Sequence, residues 1–257
     1  WESYTQYFVD MTAAWKMACP NLRNYYVFQI WPWACGMGPM GDQLREVQRS
    51  FITMYSHLKE MSILGVVPGV GCHSPRAGYV RIGQLMTPLV KEDIYGLTGS
   101  TNSAPNLRQA SYSSSNQIKL AFDQNISWNS LATDMIFLDN VGGNVASGSA
   151  SSNVITLQLT APSSAQTITY VDDKQNWSDA VTNHLIWGAN GVAALTFADV
   201  PIVPVAPVNT PFVDITNATF AVGMPQAIIG GTNNAGPLGF MRLVSKTGGT
   251  TNYTASV

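Results

Sequence analysis

Two short apolar runs, residues 25–30 (Tyr-Tyr-Val-Phe-Gln-Ile) and residues 63–67 (Ile-Leu-Gly-Val-Val), lie between stretches whose apolar residues recur every three or four positions. That alternation constrains the fold more than any other feature. Runs of this kind read as strands buried on both faces of a parallel sheet. Tyr4, Tyr7, Phe8, Met11, Trp15 and Ala18 share one face of a helix that Pro20 and Asn21 stop. Leu44, Val47, Phe51, Met54 and Leu58 keep the same spacing. Ser74 and Pro75 supply a cap and a first-turn proline for a third helix. That helix carries Tyr79, Ile82, Met86 and Leu89, with Pro88 expected to kink or shorten it. The order is α-β-α-β-α, a doubly wound pattern. Two strands are too few to close such a sheet. The rest is expected from a missing N-terminal part of the same protein or from a second chain.

Near residue 100 the texture changes. Thr, Ser and Asn dominate, and short β-runs recur at residues 117–122, 135–138, 154–159, 167–171 and 195–197. Gly142-Gly143 and a Ser-rich stretch at 147–152 read as turns between them. Short strands at this spacing predict an antiparallel β-sandwich. Pro201, Pro204, Pro207 and Pro211 predict an extended linker. The predicted organisation is a partial α/β domain over 1–99, a β-sandwich over 103–200, a linker over 201–211, and an incomplete immunoglobulin-like β module over 212–257.

Composition excludes some functions. Lys and Arg number 13 against 15 Asp and Glu, and no basic stripe is present, so nucleic acid is not an expected partner. No apolar run reaches the roughly 18–20 residues of a transmembrane helix. Charged residues are only 11%, with hydroxyls and amides in their place. That balance suits a secreted or cell-surface protein, extracellular or periplasmic. Of the three cysteines, Cys19 and Cys35 either form a bridge or join Cys72 as small buried thiols. Their spacing fits no zinc pattern, and no metal or cofactor is expected.

The segment that carries chemistry is Gly69-Val70-Gly71-Cys72-His73-Ser74-Pro75. It places a histidine on a glycine-rich loop after a buried strand and before a capped helix. In open α/β sheets ligands bind at the carboxyl ends of the strands. The positive end of the helix dipole disfavours imidazolium, which leaves the ring competent as a base. The competing reading is a surface histidine with an ordinary hydrogen bond. Trp31 and Trp33 follow the first strand on the same side. They either stack on a sugar or anchor their own loop.

His73-x-Pro75, then Gly78-Tyr79-x-x-Ile82-Gly83-x-x-Met86 and Tyr95-Gly96, resembles the last motif block of SGNH hydrolases, nearest the sialate O-acetylesterase type of carbohydrate esterase. The stretch Asp10 to Trp15 resembles the family's helix before its penultimate strand. Val27-Phe28-Gln29-Ile30 resembles that strand, and Leu44-Arg45-Glu46-Val47-Gln48 resembles the next helix. The resemblance covers roughly residues 1–200. It implies a flavodoxin-like three-layer sheet, an acylated glycan as substrate, and hydrolysis of acyl, chiefly acetyl, esters. By position it makes His73 the general base, with Trp31, Trp33 and Gln29 as candidate substrate-binding residues. The serine nucleophile and oxyanion donors would precede Trp1, so the chain by itself is expected to be inactive.

One position departs from the family. An aspartate commonly stands three residues before the histidine, where this chain has Val70. A backbone carbonyl could orient the ring instead, or an acid from elsewhere such as Asp42, or the hydrolase could be degenerate. The alternative function is therefore a non-enzymatic extracellular protein that binds carbohydrate or adheres through its β modules.

Overall fold

The computed structural model describes residues 1–32, 40–66, 73–97, 102–172 and 183–204, with the backbone of 240–243 and 253–256. The first compact unit is Trp1–Val208 and the second Asn209–Val257. The first unit has mixed α/β structure followed by a β-rich part, as the sequence predicts at that level.

The N-terminal part runs α1 (Tyr4–Ala18), β1 (Tyr25–Gln29), α2 (Gly41–Met54), β2 (Leu58–Ser62) and α3 (Arg76–Tyr95). β1 and β2 pair in parallel, Tyr25 opposite Leu58 through Gln29 opposite Ser62. Parallel neighbours need a long crossover, which α2 provides. On one face Phe8 of α1, Phe51 of α2 and Leu58 of β2 form a small core, with Tyr4, Tyr25, Val27 and Tyr55 around it. The Phe8 and Phe51 rings stack at 4.3 Å between centroids. Polar contacts fasten α3. Tyr26 donates to Asp93 at 2.9 Å, and Lys59 pairs with Asp93 at 2.7 Å and with Glu92 at 3.1 Å. Burial, and then Asp93, push the Tyr26 phenol up to about 12.

Several expectations need correcting here. The second strand lies at Leu58–Ser62, immediately before the apolar run at 63–67. Lys59 and Glu60 disguise it, since both look like surface residues. Lys59 reaches the acids of α3, and Glu60 is buried with neither carboxylate oxygen hydrogen-bonded. Leu58 consequently belongs to a strand and not to α2. The third helix starts after Pro75, which takes the cap position with extended backbone, and Ser74 makes no capping bond. The helix runs on through Pro88 to Tyr95. Cys19 is a free, exposed thiol, and Cys35 lies outside the described residues.

The β-rich part is one curled seven-stranded sheet in the order β6-β9-β11-β3-β4-β8-β7. Its strands are β3 (Leu107–Ser114), β4 (Gln117–Phe122), β6 (Ile136–Leu138), β7 (Val145–Ser151), β8 (Val154–Leu159), β9 (Thr167–Tyr170) and β11 (Phe197–Val203). A two-stranded pair, β5 (Ile126–Ser127) with β10 (Trp187–Gly188), accompanies it. All ladders in the large sheet are antiparallel except β11 with β3. β11 pairs with β9 through its first residues and with β3 through Ile202 and Val203. It thus joins the two halves, and side chains from both fill a single core. The Ser-rich stretch read as a turn is strand β7. Strand β11 continues through Pro201, into the stretch read as linker. In the second unit, β12 (Phe240–Leu243) and β13 (Tyr253–Ser256) form an antiparallel pair. The remainder of the predicted immunoglobulin-like module lies outside the described residues.

Candidate active site

β1 and β2 end side by side at Gln29 and Ser62. What leaves those carboxyl ends is pinned against the β-rich part. After β1, Trp31 packs on the core of the curled sheet. After β2, Leu64 enters that same core. Gly65 follows with φ +74°, and a Cβ there would overlap the Trp187 ring of β10. Glycine is thus required twice over, by the left-handed backbone and by the indole lying on it.

Below these loops the junction is polar and closed. The buried Gln29 amide donates to the carbonyls of Arg45 (3.1 Å) and Thr196 (2.9 Å) and accepts from Thr196 N–H (2.8 Å). Arg45, fully buried, donates to Thr196 Oγ1 at 2.9 Å and to the Val171 carbonyl at 2.7 Å. Glu46 holds Arg49 and accepts from Ala198 N–H at 3.1 Å. Arg49 in turn donates to Asn106 Oδ1 and to the Leu107 carbonyl. Ser62 Oγ donates to the Ala194 carbonyl at 3.2 Å. These bonds satisfy buried polar groups on both sides, which is the condition for burying them at all. Arg45 and Glu46 accordingly tie α2 to the β-rich part.

His73 stands exposed, three residues before the first residue of α3. Its Nδ1 lies 3.4 Å from the hydroxyl of Tyr79, in the first turn of that helix. Tyr79 is itself fixed in the helix, its N–H bonded to the Pro75 carbonyl at 3.1 Å. The other candidates separate. Trp31 is partly buried against the β-rich core, Gln29 is committed to the junction, and Trp33 and Val70 lie outside the described residues. No hydrogen bond or ring contact among the described residues joins His73 to Trp31 or Gln29. Asp42 sits buried in the first turn of α2, with Oδ1 accepting from Gln43 N–H at 2.8 Å. Sequence reasoning missed Tyr79 as a neighbour of the base. The signal was there: an aromatic hydroxyl in the first turn of a helix, behind a histidine in the loop leading to it.

No family model matches the sequence, and no curated protein matches it. Among solved structures the chain is similar to a carbohydrate acetylesterase from Xanthomonas citri, at 14% identity and a TM-score of 0.51. The match covers 77% of this chain and 44% of that one, so the chain spans less than half of that structure's length. At this identity the likeness is one of fold. It meets the resemblance seen in the motifs at a coarser level, a carbohydrate-esterase-like fold, and not at the level of the sialate O-acetylesterase type.

Proposed function

We propose that residues 1–97 carry the base-histidine half of a carbohydrate ester hydrolase acting on acetyl esters of sugars, in a secreted or cell-surface protein. The observation that carries this reading is the place of His73. In chain order it follows β2 and stands three residues before α3, in a chain whose fold is like that of a carbohydrate acetylesterase. In this reading a serine outside these residues attacks the ester carbonyl and passes its proton to His73 Nε2. The imidazolium returns that proton to the departing sugar oxygen, and water then releases acetate by the same route. Neither a metal nor an organic cofactor takes part.

The β-rich part serves as support, because it holds Trp31 and Leu64, which follow the two strands. Trp31 and Trp33 are the sugar-facing candidates, while Gln29 acts in the junction. The free edge of β1 is where the remaining strands join, whether from the same protein or from a second chain. Half-exposed side chains along four of the five β1 residues, against one in β2, favour that side. The test is acetate release by the assembled protein from an O-acetylated sugar, set against a long-chain acyl ester. Preference for the sugar acetate supports the reading. Cleavage of the long-chain ester alone would make this a lipase-like esterase, and no cleavage of either would leave a binding protein.

A further inference from the structure

We infer that Tyr79 is a positioning residue for His73, its phenol oxygen taking the place of the carboxylate that commonly orients a base histidine. The inference rests on the reading of His73 as general base. A neutral imidazole has one N–H and one lone pair. To take a proton from a nucleophile at Nε2, the ring must carry its hydrogen on Nδ1, and the partner of Nδ1 decides whether it does. In related triads a carboxylate is that partner. Among the described residues the group lying on Nδ1 is the Tyr79 hydroxyl, 3.4 Å away. The distance is long for a hydrogen bond, as such contacts often are before substrate closes the site.

Acceptance by the phenol oxygen is what the base role of His73 requires, because the ring must then carry its hydrogen on Nδ1. Tyr79 is anchored in the first turn of α3 by its backbone bond to Pro75, so its ring projects from a fixed base toward the loop that precedes the helix. His73 is held by that same loop. The partner is therefore neutral and helix-borne. A neutral acceptor orients the ring as a carboxylate does but gives the developing imidazolium less electrostatic support. The device is thus a Ser-His-Tyr arrangement, with Tyr79 touching neither substrate nor the reacting atoms.

The test uses the 257-residue chain and needs no activity. Nitrogen-15 chemical shifts of the imidazole distinguish the two neutral tautomers, and His73→Gln identifies which of the three histidines is read. The expected result is a majority Nδ1–H form for His73 in the wild type. In Tyr79→Phe it should fall several-fold toward the Nε2–H form that a free imidazole prefers. Tyr79 is exposed, so the variant keeps its fold, which the unchanged shifts of His57 and His184 would report. An Nε2–H majority in the wild type, or a ratio unmoved by Tyr79→Phe, would overturn the inference. The esterase reading is tested separately, by acetate release from an O-acetylated sugar.

Discussion

In the curled sheet, Ile118, Leu120, Ile155 and Leu157 are wholly removed from solvent. Helix α3, with 20 residues, buries only Gly78 and Leu89, and leaves Tyr79, Val80, Ile94 and Tyr95 exposed. Helix α1 is similar: Phe8 and Thr12 are buried, while Tyr7, Met11 and Trp15 are not. Both regions carry apolar residues at regular spacing. They differ because the sheet curls onto itself and closes its own core, whereas the parallel pair β1–β2 offers its helices too narrow a surface. Parallel sheets are stable when covered on both faces and broad enough for helices to lie across neighbouring strands. The lesson is that the part bearing His73 is the part less able to complete its own packing. It borrows order from the β-rich part through Leu64, Gly65 and the Arg45–Gln29–Thr196 junction.

The comparison can be broken in several places. Leu120→Ala should cost about 2–5 kcal/mol in denaturant unfolding, because it opens a cavity in a closed core. A small loss there would mean that the curled sheet is no better packed than the helices. Gly65→Ala should cost about 1–3 kcal/mol, the sum of a left-handed alanine and contact with Trp187. It should also disturb the His73 resonances, since the loop from β2 loses its anchor. If stability and those resonances are both unchanged, Trp187 does not hold the loop.

Glu60 tests the junction by pH. Burial, partly countered by Arg49 and reinforced by Glu46, holds its carboxyl well above the ordinary range in the folded protein. The folded state then keeps a proton that the unfolded chain has lost. Stability is therefore undiminished below the ordinary carboxylate range and falls as pH rises through it toward the folded value. Glu60→Met should flatten this dependence and add about 1–3 kcal/mol near neutrality. A wild-type profile that the substitution leaves unchanged would show that Glu60 does not titrate as described. The smallest expected effect is that of Met11→Ser and Tyr7→Ser, within about 0.5 kcal/mol of wild type. Both should nevertheless reduce binding of a hydrophobic dye. A large loss of stability from either would show that the outer flank of α1 is covered.

Much of this was legible in the sequence where local pattern decides structure. β4 and β8 fall on the residues that alternation marks, with Ile118, Leu120 and Phe122, and Ile155, Leu157 and Leu159, facing inward. β7 was hidden because its inward positions are filled by Val145 and small residues, with Gly148 lying under the Trp128 ring. A glycine that makes room for an indole looks like a turn when the indole is 20 residues away. β2 was displaced because a buried Glu60 contradicts the rule that charge marks surface. The helix start just after His73 was legible, since Pro75 marks it locally. The pairing of His73 with Tyr79 was not, because which first-turn side chain reaches back to the loop depends on the path of the intervening backbone.

The central claim is that His73 is a general base. Its most direct test is turnover of an O-acetylated sugar by the complete, assembled protein, with His73→Ala beside the wild type. Loss of a base of this kind costs about 10²–10⁴-fold in rate, so His73→Ala should lower kcat by at least that range while the unfolding curve stays in place. Unchanged kcat in a folded His73→Ala protein would contradict the account.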